Sequence, residues 1–296
     1  MECNAENFFR SIIFFNFLLC CNANLRFNNR QDLRRDLKNM SNKLEKLRRF
    51  GQNFLDKEMS EKIAEDLPCS AQDEILEIGP GHGALTEWLL HKCSNLTAVE
   101  IDNFCIPKLQ EKFKNSKNFN LVHKNFLQFD IESWLNEHPL SWIAGNLPYN
   151  MATAIISHIL PFIAKTKGCM FMTQLEVAER ITAKNCGSFS VFCACYAKSR
   201  IIRHIGPEHF SPKPKVNSAT VFLEPLEKPL CTDEKFFVFV RAAFSQKRKT
   251  IANSLSGPYG KEKVLSILKK MNLSENTRAE ELSPEILLSF YYFIHV

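Results

Sequence analysis

Five short apolar runs, separated by stretches of helical periodicity, constrain this chain of 296 residues more than any other feature. They are EILEIG (74–79), LTAVEI (96–101), FNLVHK (119–124), SWIAGN (141–146) and GCMFMT (168–173). Between the first two, GALTEWLLHK (83–92) repeats apolar residues at helical spacing through Leu85, Trp88 and Leu89. Short buried strands that alternate with helices are joined by crossovers, and crossovers build a parallel sheet covered on both faces. The predicted fold is a doubly wound, Rossmann-like α/β domain. Open sheets of this kind bind ligands beyond the carboxyl ends of their strands. Those ends therefore carry the functional information.

The first run ends Glu77-Ile78-Gly79-Pro80-Gly81-His82-Gly83. Gly79, Gly81 and Ala84 fit the pattern G-x-G-x-x-G/A, and Glu100 follows Gly79 by 21 residues, where an acid meets ribose hydroxyls. Nicotinamide enzymes and methyltransferases both carry an adenosine ribose, so this end does not separate them. Glu100 also suits a helix cap, although Asp102 is better placed for that. The fourth run ends Asn146-Leu147-Pro148-Tyr149. Proline lacks an N–H and leaves the preceding carbonyls outside strand pairing. Two carbonyl acceptors beside an aromatic plate suit a planar exocyclic amine, which donates twice while its ring stacks. A dehydrogenase has no use for that arrangement. A plain Asn-Pro turn before a helix is the simpler alternative.

Lys and Arg number 38 against 32 Asp and Glu, a net charge of +6 that permits an anionic partner. After Pro225 the texture changes. FFVFVRAAF (236–244), KEKVLSILKKM (261–271) and PEILLSFYYFI (284–294) have helical periodicity, which predicts a small all-α domain over 227–296. Arg241, Lys247, Arg248 and Lys249 cluster there without an acid, and Lys198, Arg200, Arg203, Lys213 and Lys215 form a second basic stretch. A solvated helix face is one account of such runs. Two basic surfaces flanking a base pocket suggest phosphate contacts that position RNA, with affinity falling steeply as salt rises.

Eleven cysteines include no C-x-x-C pair, so neither a zinc ribbon nor a redox dithiol is expected, and the thiols read as reduced, small apolar side chains. His82 and His123 read as surface or packing residues. No apolar run approaches the roughly 20 residues of a membrane span. Residues 1–40 differ from the rest. Ser11 to Cys21 is apolar but broken by Asn16, Glu2 and Glu6 make a poor secretory n-region, and Met40 opens what reads as an ordinary start. The expected organisation is a disordered or over-extended segment over 1–40, a catalytic domain over 41–226 and the helical domain over 227–296.

The motifs in order are RRFGQNFL (48–55), LEIGPGHGALT (76–86), AVEID (98–102), GNLPYN (145–150), QLEVAERI (174–181), HFSPKPKVNSATVFLEP (209–225), FVRAAFSQKRKTIANSL (239–255) and TRAEEL (277–282). With them the chain resembles the ribosomal RNA adenine N6-dimethyltransferases, specifically the KsgA-type enzymes of the small subunit. The resemblance implies S-adenosylmethionine as cofactor, released as S-adenosylhomocysteine, with contacts at Asn53, Leu55, Gly79, Glu100 and Asn146. The glycine pattern adds Gly81. It also implies that residues 52–55 close over the cofactor. The residue that meets the cofactor adenine after the third strand is usually Asp in the family; here it is Asn125, whose amide oxygen still accepts from an amine.

The implied reaction is dimethylation of N6 on two adjacent adenosines of 16S rRNA during ribosome assembly. Asn146 Oδ1 and the Leu147 carbonyl orient the amine, Pro148 shapes the turn, and Tyr149 with Phe210 sandwiches a flipped base. The implied partner is small-subunit rRNA or a pre-30S particle, met by a cytoplasmic monomer without a metal. The antibiotic-resistance branch, which acts on 23S rRNA, shares QNFL, the glycine loop and N-L-P-Y. FSQKRKTIANSL and TRAEEL resemble the small-subunit branch instead. A mitochondrial homologue would make residues 1–39 a transit segment, which the low Arg and Ser content of 1–25 and the two acids there oppose. A non-catalytic RNA-binding assembly factor would lack one of Asn146, Pro148 and Tyr149.

Overall fold

A computed structural model describes residues 54–183, 187–246 and 248–295. Asn53, Lys247 and the 1–40 segment lie outside the described residues. In chain order the elements are β1 (Phe54–Leu55), α1 (Lys57–Asp66), β2 (Glu74–Ile78), α2 (Ala84–Leu90), β3 (Asn95–Glu100), α3 (Ile106–Lys112) and β4 (Phe119–His123). Then follow α4 (Ile131–Glu137), β5 (Trp142–Asn146), α5 (Ala152–Ile159), β6 (Gly168–Gln174), α6 (Leu175–Thr182), α7 (Ser188–Tyr196) and β7 (Ala197–Ile205). The chain closes with β8 (Phe210–Ser211), β9 (Ser218–Pro225), α8 (Glu234–Ala243), α9 (Ile251–Tyr259), α10 (Lys261–Lys270) and α11 (Pro284–His295).

Seven strands form one sheet in the order β4-β3-β2-β5-β6-β9-β7. The first five run parallel, and β9 and β7 close the far side antiparallel. The path steps outward from β2 to β3 and β4, then restarts on the other side of β2 with β5. That reversal opens a crevice at the carboxyl ends of β2 and β5. Gly145 permits the close pairing there, because a Cβ on it would stand 2.6 Å from the Ile78 carbonyl oxygen.

The five expected strands all form, as the apolar runs require. β7, β9 and α9 carry no comparable signal. β7 is an edge strand whose exposed positions include Lys198, Arg200 and His204, so it reads as a charge run. Of that basic stretch, Arg203 is committed elsewhere: its guanidinium donates to both Asp66 oxygens at 2.7 and 2.8 Å. The Arg200 guanidinium lies over the Phe222 ring. Arg203 is thus committed to α1, which corrects the reading of it as part of a free basic surface, whereas Arg200 stays exposed.

The C-terminal helices share a core with the sheet. One apolar cluster runs from Leu76, Ile143 and Phe171 through Val191 and Tyr196 to Phe236, Phe239 and Phe290. Phe192 and Tyr196 of α7 pack their rings on Phe237 of α8. Tyr291 of α11 donates its hydroxyl to Asp233 at 2.6 Å, beside the start of α8. The expected boundary at 226/227 is thus a change of secondary structure with no break in packing.

Candidate active site

A cleft of about 720 Å³ opens at the crevice and collects the strand ends read from the sequence. Gly79 and Gly81 adopt φ values of +64° and +58°, a left-handed conformation that L side chains resist. The turn therefore folds back over the end of β2, and the Gly79 N–H donates to the Val99 carbonyl at 2.9 Å. Glu100, at the end of β3, is buried and wrapped by backbone donors. Its Oε2 accepts from Gly81 N–H at 2.9 Å, and its Oε1 accepts from Ile101 and Asp102 N–H at 2.7 and 2.8 Å. The carboxylate is held rigid by the loop it stabilises and still borders the cleft. Asp102 instead accepts from the Phe104 N–H.

Glu77 borders the same floor, one residue before the end of β2, and sequence reasoning gave it no role. It is 1% exposed, and its Oε2 has no hydrogen-bond partner. Burial pushes its carboxyl up to about 8; the Thr86 hydroxyl and Lys112 oppose the shift and the like charge of Glu100 adds to it. A lone acid inside an apolar strand was the available signal. Such a buried, unpaired acceptor matches a ligand that brings a donor or a positive charge.

Asn125 follows β4 and caps the turn over Phe126–Gln128 by accepting from the Leu127 N–H at 3.1 Å. Its amide borders the cleft as expected. Opposite stands the turn after β5. The Leu147 N–H donates to the Met172 carbonyl at 3.0 Å, and the Pro148 carbonyl accepts from Met151 and Ala152 N–H, starting α5. The Leu147 carbonyl takes part in neither bond. Asn146 is half-buried, and the half-exposed Tyr149 ring borders the cleft with its hydroxyl 2.6 Å from Ser218 Oγ.

β1 lies across the glycine turn as a strap. Phe54 and Leu55 pair with Ser211 and Phe210 of β8, and Asp56 N–H donates to the His209 carbonyl at 2.8 Å. The Phe54 ring stacks on His82 at 3.8 Å with a 7° interplanar angle. Burial, then the Lys108 charge, holds the His82 imidazole below its usual pKa. His82 is thus a packing residue at the cleft wall. Phe210 occupies a different place from the one expected. It is 6% exposed, belongs to the core beneath the strap with Leu55 and Met59, and does not border the cleft. Its pairing with Leu55 draws the ring inward, so the second face of a base sandwich is not supplied by Phe210 in this structure.

Of the basic residues, Lys213 and Lys215 are exposed between β8 and β9, and Arg248 and Lys249 are exposed ahead of α9. Arg241 is half-buried, and burial lowers its guanidinium to about 10, still charged at neutral pH. Among the described residues, no three His, Cys, Asp or Glu side chains converge as metal ligands, and no helix is long and apolar enough to cross a membrane. The seven described cysteines are free, and burial raises Cys93, Cys105 and Cys195 to about 12.

A mostly parallel sheet with a glycine turn and a fixed carboxylate at its switch-point cleft is that of a Rossmann-like methyltransferase. The sequence model of the family described as Ribosomal RNA adenine dimethylase matches residues 43–295, and the chain belongs to that family. It is 38% identical over 245 residues to the Ribosomal RNA small subunit methyltransferase A of Clostridium botulinum (strain Langeland), covering 80% of this chain and 89% of that one. With the protein of the same name from Hydrogenovibrio crunogenus it is 38% identical over 258 residues, 83% of this chain and 96% of the other. Among solved structures it is similar to the 23S rRNA methyltransferase ErmE, at 25% identity and a TM-score of 0.65, covering 82% of this chain and all of that one. A dimethyladenosine transferase from Plasmodium falciparum shares the fold, with a TM-score of 0.70 at 21% identity, covering 82% and 98%.

Proposed function

We propose that this chain uses S-adenosylmethionine to dimethylate N6 of two adjacent adenosines in small-subunit rRNA during ribosome assembly in the cytoplasm. One observation carries the reading: the fixed Glu100 carboxylate and the Asn146–Tyr149 turn border one cleft from the ends of β3 and β5, the strands on either side of β2. Identity supports the small subunit over the large, at 38% to enzymes named for the former against 25% to one named for the latter.

The residues present fit the cofactor. Glu100 has one acceptor site left for a ribose hydroxyl, and its three backbone donors mean that little reorganisation is needed. Asn125 receives the adenine amine, Gly79 and Gly81 give the backbone access, and Glu77 adds a second buried carboxyl to the cleft floor. Asn53 and Leu55 contribute from the strap. When bound, S-adenosylmethionine supplies a methyl made electrophilic by its sulfonium.

The task left to the protein is to present a poor nucleophile, because the N6 lone pair of adenine is delocalised into its ring. Asn146 Oδ1 and the Leu147 carbonyl accept both N6 hydrogens, so the nitrogen pyramidalises and its lone pair points to the methyl. This is orientation and electrostatics: the methylated N6 is strongly acidic and gives up its surplus proton to water, so no side-chain base is required. Tyr149 stacks on the flipped base, a contact worth about 1–3 kcal/mol. Lys213, Lys215, Arg248 and Lys249 meet RNA phosphates and set its position.

The test is methyl transfer from labelled S-adenosylmethionine to unmodified small and large ribosomal subunits, with nucleosides resolved by mass. N6,N6-dimethyladenosine confined to the small subunit is expected. Label in the large subunit would assign the chain to the resistance branch. No label, with cofactor still bound, would favour a non-catalytic assembly factor. Asn146→Ala should lower transfer by at least about a hundredfold while leaving cofactor affinity nearly unchanged. An active Asn146→Ala enzyme would refute the mechanism.

A further inference from the structure

We propose that Ser218 is a positioning residue that fixes the orientation of the Tyr149 ring. The inference rests on the reading of Tyr149 as the plate for the target base. Tyr149 leaves the β5 turn directly after Pro148, so at its Cα it is held only by a short loop. Its hydroxyl reaches Ser218 Oγ at 2.6 Å, across 69 residues of sequence. Ser218 is 0% exposed and opens β9. It pairs with Gln174 at the end of β6 and with Ile205 at the end of β7, so strands flank it on both sides. Asn146 pairs with Met172 on that same β6. The acceptor and the far edge of the plate are therefore referenced to one rigid strand.

A half-exposed tyrosine does not need a protein partner, because solvent satisfies a phenol at the surface. This one turns its hydroxyl inward to a buried serine instead. The bond removes rotation about the two side-chain torsions that would tilt the ring relative to Asn146. Phenylalanine at 149 would offer the same stacking area without the anchor. The tether thus separates two functions of Tyr149: the area of its ring and the angle at which the ring stands. Reaction rates are sensitive to that angle, since misplacement by about 1 Å can cost up to a hundredfold.

The experiment compares full-length wild type, Ser218→Ala, Tyr149→Phe, their double variant and Tyr149→Ala. Each is assayed for single-turnover methyl transfer to unmodified small subunits at saturating cofactor, and for S-adenosylmethionine Kd by calorimetry. Ser218→Ala and Tyr149→Phe should each slow transfer by about tenfold to a hundredfold. Cofactor Kd should stay within about twofold, and the double variant should be no slower than the slower single. A buried pair serving stability alone would lower Tm in both singles and leave the single-turnover rate of the folded enzyme at the wild-type value. That result, or a double variant that multiplies the two losses, overturns the proposal. If Ser218→Ala does not fold, Tyr149→Phe, which removes a single oxygen and leaves the ring in place, decides alone. Wild-type transfer by Tyr149→Ala would instead remove the stacking role itself, a failure distinct from loss of the anchor.

Discussion

The two ends of the cleft are built by different means. At the Glu100 end, the functional carboxylate is gripped by three backbone N–H groups within the segment from Gly81 to Asp102. At the Tyr149 end, the plate depends on one side-chain pair that reaches across β6 to the start of β9. Backbone donors cannot be mutated away one at a time, whereas a hydroxyl can. The first end should therefore fail only when its own acid is changed, and the second when a remote partner is.

The largest expected effect at the gripped end is that of Glu100→Gln. An amide turned toward the loop presents N–H to N–H, so an acceptor and the charge are lost together. Cofactor Kd should rise about tenfold to a hundredfold by calorimetry, with RNA binding unchanged. An unchanged Kd would show that the backbone grip serves the loop alone and would erase the contrast between the two ends.

Glu77→Gln sharpens the comparison through pH. The folded carboxyl sits near 8 against an ordinary value of 4.5. Between those values the folded chain holds a proton that the unfolded chain has released, so stability falls as pH rises through the window. The loss is on the order of a few kcal/mol. Glutamine mimics the neutral form, and its denaturation midpoint should vary less between pH 5 and 8 than that of the wild type. Parallel pH curves for the two proteins would mean that Glu77 titrates normally.

The smallest effect is expected from Asn125→Asp. The cap on Leu127 survives, and a full negative charge replaces the amide near the cofactor adenine. Affinity should tighten by about twofold to tenfold. No change would place the adenine beyond the reach of this side chain.

The sheet and the cleft groups were largely legible because their signals are local. Apolar runs ending in glycine or in Asn-Leu-Pro-Tyr mark both a strand and the end of it that lines the cleft within a few residues. What stayed hidden depends on distant partners. Ser218 looks like one polar residue among several until β9 is folded against β6. Phe210 looks like an available aromatic until Leu55 pairs with it and draws it into the core. α9 contains Ser, Asn, Gly and Pro258 and carries no clear helical periodicity of its own, yet Ile251 and Leu255 are buried and Thr250 caps it by accepting from the Asn253 N–H. Arg203 counts as a basic residue in the sequence and is spent on Asp66 in the fold.

The uninterrupted packing of α7 rings on α8 bears on how this enzyme can be re-engineered. A chimera that exchanged residues 227–296 with those of another branch would cut through Phe192, Tyr196 and Phe237 and leave mismatched rings at the seam. A replacement tail would have to arrive with its own α7. The helical segment and the thermal tolerance of the sheet are in this sense inherited together, and any graft must first pass through the repacking of that seam.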